Sequence, residues 1–300
     1  CIINFERRSD KDMFLKLTSK LTLENGGFSV ANIHRPLDIP EFDIIDLRFQ
    51  KFLLGVHSKS SNDGVREELG TFPIILSAKN QLIKYWHRLV NLPEDSLLHE
   101  AYNVVFSSDH DWINHVKDIL NYHGLGYIWM NPKCYKVDYI EQQLKCRLQD
   151  AHIQEWFGCV SNNSKLSLLH KSKNHYIQEK YLHDVNNVEI RKAITQLRIS
   201  SHILNIETGR YFNVAPDQRF CPFCPNRIED EFHFIMECTK YDALRDELFT
   251  SLNSSTSDFK TLNATDRFDY IFKCNSPYNV KIGKYVKDCF VIRKNSGTQN

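Results

Sequence analysis

Apolar residues recur along this chain at spacings of three and four far more often than they alternate, and the elements they predict are helices. Phe42, Ile45, Phe49, Phe52, Leu53 and Val56 trace one buried stripe of a first helix. Gly70 stops the pattern, and Pro73 restarts it into a second helix carrying Leu82, Tyr85, Trp86 and Leu89. Leu97, Leu98, Ala101, Tyr102 and Val105 make a third. After the Ser107-Ser108-Asp109 turn, with Asp109 as the expected cap, a fourth carries Trp112, Val116, Ile119 and Leu120 and closes at His123-Gly124. Ile140, Leu144 and Leu148 predict another. Val188 to Leu204 predicts a long one with Ile190, Ile194, Leu197 and Ile203 on one face. Tyr241 to Leu252 and Tyr278 to Ile292 read as short amphipathic helices.

The expectation is therefore an all-α chain, a helical array or bundle in two subdomains, parted at the polar run Ser161-Asn162-Asn163-Ser164. Residues 1–40 stay unassigned. Residues 41–160 make a first helical region, 161–255 a helical and metal-binding region, and 256–300 a helical tail.

Composition narrows the class without naming a function. The chain has 300 residues, of which 42% are apolar and 25% charged, as in an ordinary globular protein with room for one large or two medium cores. Its longest apolar runs, such as Phe72 to Leu76, fall far short of the roughly 18 residues that cross a bilayer, so no membrane span is expected. The first residue is Cys1, and no long apolar segment with a cleavage site follows it. Together with six scattered cysteines (Cys1, Cys134, Cys146, Cys159, Cys274 and Cys289), this reads as an intracellular fragment, nuclear or cytoplasmic, of something longer.

A net charge of +1 gives no overall attraction to polyanions, but the charge is uneven. Lys165 to Arg219 holds nine Lys and Arg against five Asp and Glu, whereas Pro225 to Asp269 holds five against ten. Both stretches are also what solvated helix faces look like.

The remaining three cysteines fall inside "CPFCPNRIEDEFHFIMEC", residues 221 to 238. Cys221, Cys224, His233 and Cys238 form C-x2-C-x8-H-x4-C. Two thiolates on a tight turn stiffened by Pro222 and Pro225 point at one ion, and a third thiolate and an imidazole complete a tetrahedral zinc shell. With four protein ligands no position remains for a catalytic water, so the expected Zn2+ is structural. Glu229, Asp230 and Glu231 suit the first turn of a helix carrying His233. Five positions on an α-helix rotate by about 140° beyond a full turn, so Cys238 must lie where that helix ends. His202 is a possible substitute ligand.

Two stretches carry a family resemblance. "SHILNIETGRYFNVAPDQRFCPFCPNRIEDEFHFIMECTKYDALRDELF", residues 201 to 249, resembles the cysteine-rich C-terminal region of LINE-type (non-LTR) retrotransposon reverse transcriptases. "FQKFLLGVHSKSSNDGVREELGTFPIILSAKNQLIKYWHRL", residues 49 to 89, resembles the helical region that follows the polymerase domain in the same proteins. The resemblance covers residues 41 to 255. It implies that the four Cys and His residues are the metal ligands, that Arg210, Tyr211 and Arg219 belong to the flank of the family pattern, and that the region helps hold RNA or DNA for a polymerase domain elsewhere in the parent protein.

The polymerase itself is not expected here. Two-metal nucleotide transfer needs clustered carboxylates, which the family presents as an aromatic-x-Asp-Asp turn, and the chain contains no Asp-Asp pair. Ser108-Asp109-His110 resembles a triplet of the endonuclease such elements encode, but a helix cap is its plainer role. The expectation is thus a zinc-binding, nucleic-acid-binding fragment and not an enzyme. Lys171, Lys173, Lys192, Arg198, Arg210 and Arg219 are the candidate phosphate contacts, and Tyr211, Phe220 and Phe223 candidate stacking surfaces. The alternative is a structural or protein-interaction module that zinc merely fastens.

Overall fold

A computed structural model describes residues 40–108, 110–173, 175–255, 259–273 and 277–296. Among the described residues the architecture is all-α, and the only extended pairing is a single antiparallel bridge between Phe220 and Ile228. None of the described helices is long and apolar enough to cross a membrane. Asp109 lies outside the described residues. The cap of its helix is His110, whose ring accepts the Trp112 N–H.

The chain divides into two compact units. The first joins residues 40–46 to Pro73–Ala151. It holds the start of α1 (Pro40–Leu54), then α3 (Ile74–Val90), α4 (Leu97–Ser107), α5 (Asp111–Tyr122), α6 (Gly126–Met130) and the first half of α7 (Val137–Ser161). Ile83, Trp86, Val116, Leu120, Leu125, Ile128, Ile140 and Leu144 are fully buried at its centre. Trp86 stacks on Trp129 with ring centres 5.3 Å apart. The stripes read for α3, α5 and α7 are the ones that pack here. The stripe read for α4 packs only in part: Tyr102 and Val105 meet the core together with His99, while Leu97, Leu98 and Ala101 are exposed.

The second unit joins Leu47–Phe72 to the described residues from His152 onward. After α2 (Asn62–Leu69) and the second half of α7, it contains α8 (Ser167–Ser172), α9 (Tyr181–Asp184), α10 (Val188–Arg198), α11 (Asn205–Tyr211), α12 (Asp242–Ser255), α13 (Ala264–Lys273) and α14 (Asn279–Ser296). The polar run at 161–164 does end α7, but it lies inside this unit and separates nothing. The long helix expected over 188–204 stops at Arg198, because Ser200 takes a left-handed backbone (φ 51°). In α1 the buried positions are Leu47, Gln50, Lys51 and Leu54, whereas Phe52 and Leu53 of the expected stripe are exposed. Helices α10 and α14 pack together tightly at Gly283, where a Cβ would come within 2.4 Å of Ile190 Cγ2.

A network of charged side chains is sealed into this unit. Arg198 Nε donates to Glu68 Oε1 at 2.7 Å, its Nη1 donates to the Phe272 carbonyl at 2.7 Å, and its Nη2 lies 3.2 Å from Glu179 Oε1. Lys173 Nζ pairs with Glu179 Oε1 at 3.2 Å and donates to the Ile177 carbonyl at 2.7 Å. The Tyr181 hydroxyl donates to Glu68 Oε2 at 2.8 Å. Ions this deep persist only where partners replace the lost water. Glu67, fully buried beside them, is the exception: neither carboxyl oxygen has a hydrogen-bond partner among the described residues. Burial pushes its carboxyl up to about 8, opposed by Lys173 and Arg198 and reinforced by Glu68 and Glu179.

Two predictions follow from this packing. Gly70 ends α2 with a left-handed backbone (φ 61°), and a Cβ there would meet Gln178 N at 2.3 Å. Gly70→Ala should therefore lower stability by about 2 kcal/mol or more, as read by urea unfolding; an unchanged midpoint would contradict the close approach. Glu67 keeps its proton when folded and loses it more readily when unfolded, so stability should fall as pH rises from the ordinary carboxylate range to about 8 and level off above it. Glu67→Gln should flatten that decline and gain on the order of a few kcal/mol at pH 8, and parallel pH–stability curves for the two proteins would refute it.

Candidate metal centre

The four residues expected to ligate a metal come together. One ligand atom from each of Cys221, Cys224, His233 and Cys238 lies within 4.8 Å of the others, and all four residues are buried. Cys221 Sγ and Cys224 Sγ each sit 3.8 Å from Cys238 Sγ. Metal–sulfur bonds of about 2.3 Å to a tetrahedral ion space the sulfurs about 3.8 Å apart, so the cage has the size of such an ion.

A short hairpin supplies the first two ligands. Cys221 N–H donates to the Arg227 carbonyl at 2.7 Å and Glu229 N–H to the Arg219 carbonyl at 2.8 Å, with the Phe220–Ile228 bridge between. Asn226, left-handed at φ 57°, turns the chain. Asn is among the few side chains that take this conformation readily. The N–H groups of Phe223 and Cys224 are aimed at the Cys221 sulfur, and that of Lys240 at the Cys238 sulfur.

The other two ligands bracket one wide helical turn. Asp230 caps it, its Oδ1 accepting the His233 N–H at 2.7 Å. Residues His233–Glu237 then wind as a π-helix, and Cys238 N–H donates to the His233 carbonyl at 2.8 Å. An α-helix would point residues five apart in different directions; a turn closed over five residues returns Cys238 to the side of His233. Cys238 itself is extended (φ −63°, ψ 120°), so the helix does end at this ligand. Of the three acidic residues expected in its first turn, Asp230 is the cap, and Glu229 is drawn away into the hairpin.

The imidazole is oriented for ligation. His233 Nδ1 lies 3.3 Å from Glu237 Oε2, and the same oxygen is paired with Arg227. His233 Nε2 is buried with no hydrogen-bond partner among the described residues. A ligating imidazole holds this arrangement, one nitrogen on a carboxylate and the other turned to the ion. Burial pushes the thiols of Cys221 and Cys238 up. At Cys224 burial also raises the thiol, but hydrogen bonding with Thr239 and Cys238 outweighs it and brings it down to about 7.

Contacts farther out fix the turn and the hairpin. Arg245 Nη2 donates to the Cys238 carbonyl at 2.9 Å, and the Tyr285 hydroxyl to the Ile235 carbonyl at 2.7 Å. Glu229, buried, takes Arg293 in a two-pronged pair at 2.5 and 3.0 Å and accepts the Asn205 N–H at 2.7 Å. Charge alternation does not announce this pair, whose members are 64 residues apart. His202 is not a substitute ligand. Its Nε2 is engaged 2.9 Å from Glu231 Oε1, away from the sulfurs.

The expected phosphate contacts scatter. Lys173 and Arg198 are consumed by the sealed charge network. Arg219 is buried, donating to the carbonyls of Ile206 at 2.7 Å and Val214 at 2.8 Å, which ties α11 to the hairpin. These three are corrected from surface cations to internal ones, because carbonyls and carboxylates already fill their donors. Lys171 is exposed, Lys192 half-buried, and Arg210 half-buried with its Nε 3.1 Å from Glu207 Oε2. Tyr211 and Phe220 are exposed, while Phe223 packs edge-on against Tyr241 under Lys240. Phe212, which no motif in the sequence singles out, is 79% exposed. Compared with protein-family models, curated proteins and solved structures, the chain matches none of them.

The geometry predicts one divalent ion per chain by elemental analysis after purification without chelator. Cys238→Ser should abolish retention, and Glu237→Gln, which leaves all four ligands, should weaken metal affinity by about 10- to 100-fold. Full retention in Cys238→Ser would mean that the cage is not a metal site.

Proposed function

We propose that this chain is a zinc-binding, nucleic-acid-binding part of a LINE-type reverse transcriptase, lying C-terminal to the polymerase domain and without polymerase chemistry of its own. Three thiolates and one imidazole in a tetrahedral cage select zinc over harder ions, and four protein ligands give the ion a structural role. The chain's lack of an Asp-Asp pair supports the non-catalytic reading. Free thiolate ligands suit a reducing compartment, so the reading carries an intracellular location, nuclear or cytoplasmic.

The observation that carries nucleic-acid binding is the end of α11. Arg219 and Glu229 lock this helix to the metal hairpin, and its end presents Tyr211 (54% exposed) and Phe212 to solvent beside the half-buried Arg210. Exposed aromatic rings on a rigid support, with a cation beside them, are what unpaired bases stack on. Lys171 is the remaining exposed cation of the expected set. A second reading, a zinc-fastened module that binds protein, is favoured by the burial of Lys173, Arg198 and Arg219, which leaves the basic stretch less basic than its composition.

The two readings separate in a titration of single-stranded RNA and DNA against salt. The first expects affinity to fall with a log–log slope of about −0.7 per phosphate contact, and Arg210→Glu with Tyr211→Ala to weaken binding about tenfold and flatten the slope. Equal affinity in that variant, with metal content and helicity intact, would leave the protein-binding module as the better reading.

A further inference from the structure

Helix α4 is apolar on both sides. Its inner side packs on the core: His99 and Tyr102 are buried, Val105 lies against the same core, and the half-exposed Phe106 stacks on Trp129 with ring centres 5.9 Å apart. Its outer side carries Leu97, Ala101 and Val104, spaced i, i+4 and i+7, with Leu98 beside them. Leu97 is 81%, Val104 66% and Leu98 56% exposed. A helix apolar all round is ordinarily a covered helix, and scattered exposed leucines would not keep this register.

The rim of the face states what would cover it. Between Arg88 and Lys117 the sequence holds no lysine or arginine, and Glu94, Asp95, Glu100 and Asp111 are all exposed around the helix. The described pairing to this rim is one solvent-exposed contact, Lys133 Nζ to Glu94 Oε1 at 3.9 Å, which offsets little of its charge. A second copy of the chain would set this acidic rim against its own like. A basic partner would neutralise it.

We propose that the outer face of α4 is a docking site for a basic amphipathic helix of another protein. The partner's apolar stripe covers Leu97, Leu98 and Val104, Ala101 lets its backbone approach, and its Lys and Arg residues meet Glu94, Asp95, Glu100 and Asp111. This is the helix-on-groove mode of recognition, read through anchors at i, i+4 and i+7. The inference is independent of the metal centre and of nucleic-acid binding.

The probes are two fluorescent 18-residue peptides of amphipathic helical pattern, one of Leu and Lys and one of Leu and Glu, titrated against the full chain with its metal. With the chain's own net charge at +1, bulk attraction to the cationic peptide is absent. The Leu–Lys peptide should bind saturably and the Leu–Glu peptide at least about tenfold more weakly. Leu97→Ser with Val104→Ser should weaken Leu–Lys binding by about tenfold or more, and Glu94→Lys with Glu100→Lys should shift preference toward Leu–Glu. Helicity and metal content report whether the variants remain folded. If they do not, protection of amides 97–107 from hydrogen exchange by the Leu–Lys peptide in the unaltered chain decides the matter. Equal binding of the two peptides, binding unaffected in folded variants, or no protection of α4 would overturn the proposal. So would a dimer of the chain that Leu97→Ser with Val104→Ser dissolves, because the face would then belong to a second copy.

Discussion

The bond from Cys238 N–H to the His233 carbonyl spans five residues where an α-helix spans four, and the rest of the metal module is arranged around that difference. Without the extra residue, His233 and Cys238 would leave the helix in different directions and the fourth ligand would miss the sulfurs of Cys221 and Cys224. A π turn is a poor structure in isolation, and here it is held from outside. Asp230 closes its start, Arg245 takes the Cys238 carbonyl, and Tyr285 takes the Ile235 carbonyl. Cage and scaffold thus depend on each other: the four Cys and His side chains need the turn, and the turn needs the helices that carry Arg245 and Tyr285.

The same economy governs the charges. In the metal-bearing unit, cations that composition assigns to the surface act as internal fasteners. Arg293 reaches Glu229, Arg219 ties α11 to the hairpin, and Arg198 gathers Glu68, Glu179 and the end of α13. Guanidinium groups suit this work because their donors form a rigid planar fork. Tyr211 and Phe212 are left to solvent, standing at the end of a helix that the fasteners immobilise.

Much of this was legible in the chain. The all-α class, the stripes of α3, α5 and α7, and the four-residue ligand set are local patterns, and local patterns survive folding. The requirement that the helix end at Cys238 came from rotation per residue alone, although the π winding that meets it is not written in any spacing. The failures share a cause. A stripe tells which residues are apolar, not which face is covered, so α1 turned inward on Leu47, Gln50, Lys51 and Leu54, and α4 left Leu97 and Leu98 outside. Likewise a lysine or arginine reads as solvated until its long-range carboxylate or carbonyl is known, and for Arg198 that partner lies 130 residues away. The early stop of the 188–204 helix hung on the backbone of one serine, which propensity does not anticipate.

The order of these residues along the chain has a consequence for how the centre comes into being. All four ligands are synthesised by Cys238, but Arg245, Tyr285 and Arg293, which brace the wide turn and the hairpin, emerge only afterwards. During that interval an ion would find a complete set of donors and none of the later bracing. Capture of a metal would therefore be a local event, written in eighteen consecutive residues, and permanence would be conferred later by the helix that carries Tyr285 and Arg293.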